Sequence, residues 1–182
     1  MNNLKGTETE KNLYKTLAIE SRTNNIYIMF AEMARKEGYL WIAEIFETIA
    51  GNELAHSRAA YKKYLGKIKE TEDNLKFSIN REDNVAELYK EFEKTALAEG
   101  LNEVAKFYKE LSEVEESHVE IYTDIINRIE NGGIFYSQQS IGWVCMNCGY
   151  IHEGRTAPKE CPCCGFPQAY FKPKCNPEWF EK

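Results

Sequence analysis

The sequence predicts a mainly α-helical protein, a four-helix bundle followed by a small metal-binding domain. Three observations carry that expectation. All five prolines lie at or beyond residue 158, so a long proline-free stretch rich in Glu, Lys, Ala and Leu precedes them. Apolar residues recur there at helical spacing. All six cysteines fall between Cys145 and Cys175, leaving the first 144 residues with none. The 182 residues suit one medium domain plus a small one, divided here into 1–136 and 137–182.

Helix A is expected from Thr7, where Thr7-x-x-Glu10 forms a capping box, to Gly38. Helix B follows from about Tyr39 to Leu65 and stops at Gly66. A polar connection, Lys67 to about Asn80, with room for a helical turn after Thr71, is long enough to cross the bundle as in ferritin-like topologies. Helix C then runs to Glu99 before Gly100, and helix D from Leu101 to Glu130 before Asn131-Gly132-Gly133.

Composition excludes several functions. A net charge of -6 argues against nucleic-acid binding. No apolar run approaches the ~20 residues of a membrane span, and Met1 to Lys15 has no signal-peptide core. Cysteines clustered in one tail suit a metal site in a reducing cytoplasm better than a disulfide framework.

Polar residues interrupt every apolar stripe. Glu20 does so on helix A, Glu53 and His56 on B, Glu82 on C, and Glu115 and His118 on D. Glu53-x-x-His56 and Glu115-x-x-His118 each place two donors on one helix face. An inward carboxylate is costly unless it is paired or bound to metal. One Glu from each of two helices plus Glu-x-x-His from each of the other two is the di-iron or di-manganese carboxylate pattern. Glu87 and Glu91 are rivals to Glu82 but share a less apolar face. Tyr27 and Tyr89 also lie on the inward stripes, as core residues or as partners of the metal-binding carboxylates.

The tail carries Cys145-x-x-Cys148-Gly149 and Cys161-x-x-Cys164-Gly165. Two such knuckles make a tetrahedral four-thiolate site for iron or zinc. Cys163 would point away from it, Cys175 has no partner pattern, and His152 reads as a surface residue.

On these residues the chain resembles rubrerythrin, a ferritin-like di-iron bundle followed by a rubredoxin-like domain. The likeness covers nearly the whole chain. It includes Leu4-Lys5-Gly6-Thr7, Glu20-Ser21, Asn52-Glu53-Leu54-Ala55-His56, Glu115-Glu116-Ser117-His118, and the run from Trp143 to Gly154. The resemblance implies a cytoplasmic oxidoreductase that reduces hydrogen peroxide to water at the di-iron site. Electrons pass through the four-cysteine iron from an upstream reductase or rubredoxin, and a homodimer is implied. Helix C departs from the family's Glu-x-x-Glu pattern. Glu82 takes the first position, the second falls on Asn84 or Val85, and the stretch is one residue short. In the family that second glutamate exchanges with the helix-B histidine, so its loss implies that His56 stays bound. A one-residue deletion either turns the following helix by about 100° or removes a bulge. Competing readings are a ferroxidase or iron-handling protein and a non-catalytic zinc-ribbon interaction module.

Overall fold

The computed structural model describes residues 4–174 of the chain, which divide into two units with the chain boundary between Lys69 and Glu70. The first unit is a helical hairpin of α1 (Glu8–Lys36) and α2 (Leu40–Arg58). The Thr7 hydroxyl accepts the Glu10 N–H at 3.1 Å, and the Glu10 carboxylate accepts the Gly6 N–H at 2.7 Å, so both expected partners cap the helix start. Gly38 ends α1 at φ 88°, with the Tyr39 N–H donating to the Ala34 carbonyl and the Gly38 N–H to that of Arg35. This is the Schellman pattern, which a glycine at the positive-φ position makes inexpensive.

The hairpin interface is built on small residues. Ala31, Ala34, Ala43 and Ala50 are buried, and with no larger side chain at these points the two backbones approach closely. Asn24 donates to the Ala50 carbonyl at 2.7 Å, and Arg35 grips both oxygens of Glu47 at 2.7 and 2.6 Å. Beyond Arg58, α2 widens into a π-helical turn, Ala59–Tyr64, that the sequence pattern did not predict.

The second unit opens with another hairpin, α3 (Thr71–Ala98) and α4 (Asn102–Glu130). Here the expected long crossover is corrected. Residues 71–80 are helical, so only Leu65–Glu70 connect the π turn to α3. The first turn of α3 carries Glu72 and Asp73, which suit the positive end of a helix. The segment is polar because it starts a helix, not because it is a loop. α3 is also unbroken α-helix through the one-residue deletion, so no bulge remains in it.

The two hairpins repeat one another. Glu20, Tyr27, Phe30, Ala34, Gly38, Ala43, Glu53 and His56 recur 62 positions later as Glu82, Tyr89, Phe92, Ala96, Gly100, Ala105, Glu115 and His118. The second cap copies the first, Leu101 N–H to Ala96 carbonyl and Gly100 N–H to Leu97 carbonyl. The aromatic clusters match as well. Tyr27, Phe30 and Phe46 sit with centroids 5.6–6.1 Å apart, and Tyr89, Phe92 and Tyr108 with centroids 5.4–6.2 Å apart.

After α4, strands β1 (Tyr136–Cys145), β2 (Ile151–Thr156) and β3 (Phe171–Pro173) form an antiparallel sheet in the order β2-β1-β3. Its core is Trp143, Cys145, Ala157, Cys161 and Phe171. The Trp143 indole N–H donates to the Gly154 carbonyl at 3.0 Å.

Candidate metal centres

The tail centre follows from two matched turns. The Cys145 N–H donates to the Tyr150 carbonyl and the Gly149 N–H returns to the Cys145 carbonyl, both at 2.8 Å. The Cys161 N–H to Phe166 and the Gly165 N–H to Cys161 repeat that geometry at the same length. Gly149 and Gly165 take φ 78° and 71°, so each closes its knuckle where a side chain would strain the backbone. Four sulfurs converge, those of Cys145, Cys148, Cys161 and Cys164. Cys145 and Cys164 lie 3.8 Å apart, Cys148 and Cys161 3.7 Å. Metal–sulfur bonds of about 2.3 Å in a tetrahedron give an edge of about 3.8 Å, so the spacing fits one iron or zinc ion.

The surrounding dipoles prepare the thiolates. The Asn147 side-chain amide, 3.5 Å from the Cys164 sulfur, and the Phe166 backbone N–H bring that thiol down to about 6. Cys148 receives the Tyr150 N–H, which pulls it down, but the neighbouring thiols outweigh this and its proton is held more tightly than usual. Burial pushes Cys161 up. A cation replacing the shared protons removes both penalties. Cys163 is exposed and stands outside the cluster. His152 is half-buried beneath Gly154, and Cys175 lies outside the described residues.

Each helical hairpin holds three of the expected donors. In the first, Glu20 from α1 meets Glu53 and His56 from α2. His56 Nδ1 lies 3.1 Å from Glu53 and 3.8 Å from Glu20. In the second, Glu82 from α3 meets Glu115 and His118 from α4, with His118 Nδ1 2.9 Å from Glu115. Both histidines therefore turn the same ring nitrogen toward the carboxylates.

Charge crowding shows in the acids. The two neighbouring carboxylates push each other apart in acidity, Glu53 raising Glu20 and Glu20 lowering Glu53. Glu82 is raised by partial burial and by Glu115. Crowded carboxylates beside an imidazole form a donor set that suits iron or manganese.

The rivals to Glu82 are used elsewhere. Glu87 pairs with Lys90 at 2.7 Å, and Lys90 reaches Glu116 at 2.7 Å. Glu91 is exposed. Asn84 turns back to Asn80 on its own helix, and Val85 carries no donor, so neither replaces the second helix-C glutamate. Tyr27 and Tyr89 sit in the matched aromatic clusters, two turns from the single glutamates. What the sequence reading missed is the repeat itself, which was visible as the 62-residue offset between the two Glu-x-x-His motifs.

Comparison with known proteins matches both parts of the chain to one family. A family model described as Rubrerythrin matches residues 11–76 and 73–144, and one described as Rubrerythrin, rubredoxin-like domain, matches 143–172. The chain belongs to the rubrerythrin family. Rubrerythrin-1 of Clostridium acetobutylicum is 36% identical over 94% of this chain and 97% of its own. Rubrerythrin of Nitratidesulfovibrio vulgaris is 35% identical over 94% and 97%. A solved structure of nigerythrin in a partially reduced state is 27% identical, covers 95% of this chain and 90% of that one, and gives a TM-score of 0.36. As a rubrerythrin the chain combines ferritin-like helices, carboxylate–histidine di-iron sites and a four-cysteine rubredoxin-like site.

Proposed function

We propose that this rubrerythrin is a non-haem di-iron peroxidase that reduces hydrogen peroxide to water. The observation that carries the reading is the presence, in one chain, of a four-thiolate electron-transfer site and two carboxylate–histidine half-sites. Residues 1–136 form the catalytic domain and 137–182 the electron-transfer domain. Each turnover consumes one peroxide, two protons and two electrons and releases two waters. When bound, the iron pair supplies the two electrons to peroxide and the four-thiolate iron restores them one at a time.

The chain's own residues have distinct tasks. Glu20, Glu53, Glu82 and Glu115 hold and neutralise the two cations. His56 and His118 complete the donor set through Nδ1. Tyr27 and Tyr89 wall the site and orient its carboxylates through their hydroxyls. In the tail, Cys145 and Cys161 are buried while Cys148 is exposed, so water is excluded on one side and the accessible sulfur offers the path for electrons. The Asn147 amide and Phe166 N–H stabilise the Cys164 thiolate. The electron donor is an upstream reductase or rubredoxin in the cytoplasm.

One observation favours a second reading. Without the switching glutamate on α3, the donor set suits a ferroxidase that oxidises Fe²⁺ with oxygen. The deciding experiment adds peroxide to anaerobically reduced, iron-loaded protein and follows the visible absorbance of the thiolate iron. Rapid oxidation is expected. No acceleration over a peroxide-free control rejects the peroxidase, and fast oxygen-driven Fe²⁺ oxidation with little peroxide turnover then selects the ferroxidase. One zinc per chain and no iron would select a zinc-ribbon interaction module instead.

A further inference from the structure

The six-residue connection Leu65–Glu70 bears directly on how a six-donor site is assembled. A ferritin-like bundle contains one connection that crosses its length, so the two helices it joins run parallel. Here those helices are α2, with its π turn, and α3. His56 lies eight residues before Tyr64, and Glu82 eleven residues after Thr71. Bringing the two donors to one level with the helices parallel means travelling back about 28 Å at 1.5 Å per residue. A sideways step of about 8–10 Å between axes adds to that. The total is about 30 Å. The chain from Tyr64 to Thr71 makes seven Cα–Cα steps, a reach of at most about 25 Å when fully extended.

The hairpins also lack a finished core. Among the described residues the largest fully buried side chains, Trp143, Cys145 and Cys161, all belong to the tail. The buried positions of α1–α4 are alanines, two serines and Ile126. On the stripes that carry the donors, Ile42, Ile49, Phe92 and Val104 remain 38–42% exposed, and the His56 side chain is 60% exposed. Interior faces of a four-helix bundle are not left in this state.

We propose that the dinuclear site is assembled between two copies of this chain. The α1–α2 hairpin of one copy packs on the α3–α4 hairpin of the other, so Glu20, Glu53 and His56 face Glu82, Glu115 and His118 of the partner subunit. The exchange is reciprocal and gives two bundles and two dinuclear sites per dimer. It rests on the di-metal reading above, and it commits to the heterotypic pairing because the six-residue connection denies each hairpin its own chain's complement.

Complementation between inactivated half-sites tests this. One variant carries Glu53→Gln with His56→Ala, the other Glu115→Gln with His118→Ala. Each alone is expected to lose the dinuclear site in both bundles while keeping the four-thiolate metal. Co-expressed with different affinity tags and isolated as the mixed dimer, they should regain one of two dinuclear sites, read as half the wild-type bundle-bound Co²⁺ or iron by metal analysis. No recovery in the mixed dimer, with wild-type protein fully loaded, overturns the exchange. Single variants that each keep half the dinuclear sites would show like hairpins pairing with like, and also overturn it.

A second measurement needs no metal. The wild-type mass by light scattering should be that of a dimer at the lowest concentration at which the helices remain folded. Inserting about twelve Gly/Ser residues after Gly66 should yield a folded monomer, since the lengthened link then spans the bundle. A wild-type folded monomer of 21.1 kDa refutes the exchange whatever metals bind. If wild-type protein binds no metal pair, the di-metal reading fails, and the mass and insertion results still decide the exchange.

Discussion

Trp143→Ala is expected to uncouple the tail's fold from its metal. Trp143 is fully buried, and its ring lies in the cluster that includes Cys145 and Cys161. A buried tryptophan removes about 150–250 Å² from water, which at about 25 cal/mol per Å² is worth about 4–6 kcal/mol. Measured truncations of buried Phe or Trp to Ala cost about 3–5 kcal/mol, because the site partly collapses. The Gly154 carbonyl also loses its 3.0 Å donor. A domain this small holds little stability beyond that sum, so the metal-free tail should unfold. The metal-loaded tail should persist, since structural metal binding contributes on the order of 10 kcal/mol. The assay is guanidinium titration of the full-length protein, following metal–thiolate absorbance in the loaded form and thiol-reagent access to Cys145 in the metal-free form. Trp143→Phe keeps most of the burial and should lose about 1–2 kcal/mol, chiefly the hydrogen bond. A Trp143→Ala protein with a wild-type midpoint and a protected Cys145 would refute the reasoning.

Other substitutions probe the sites separately. Glu82→Gln should lower bundle metal content and leave the thiolate spectrum unchanged, whereas Glu87→Gln, which breaks only a surface ion pair, should change neither; metal analysis reads both. Asn147→Ala removes the leading cause of the depressed Cys164 thiol, so its titration, followed by thiolate absorbance in metal-free protein, should move from about 6 toward the ordinary 9. Glu20 is raised in the folded metal-free protein, so its proton stabilises the fold at low pH, and that contribution fades as pH climbs through the raised value. Glu53 is lowered and works in the opposite sense, losing its contribution as pH falls through the folded value. Co²⁺ uptake by the helices should therefore strengthen as pH rises from the ordinary glutamate range, and Glu20→Gln should flatten the upper part of the metal-free stability profile.

Much of this arrangement is legible in the sequence because it rests on local rules. Gly38, Gly66, Gly100 and Gly132 follow helices at positive φ, and glycine is the residue that takes that conformation at least cost. The Glu-x-x-His pairs and Cys-x-x-Cys knuckles are fixed by helical and turn spacing, so their donors were identifiable before their partners. The start of α3 was hidden because Glu72, Asp73, Asn74 and Lys76 surround only Leu75 and Phe77, and a polar helix start resembles a loop. The π turn at Ala59–Tyr64 leaves no periodic trace in six residues. The 62-residue repeat is diluted because the donors, the caps and some packing positions keep to it, while most other positions, the buried Ala31 among them, differ between the halves.

That repeat makes each hairpin a built-in comparison for the other. A single hairpin of about sixty residues, meeting a second molecule of itself, would already have presented two glutamates, two Glu-x-x-His pairs and a matched pair of aromatic clusters. Carrying both hairpins in one chain fixes their ratio at one to one and leaves each free to differ. Positions where the halves differ show separate uses of the two hairpins: Asn24 donates to the Ala50 carbonyl, whereas Ala86 at the matching place is a buried packing contact.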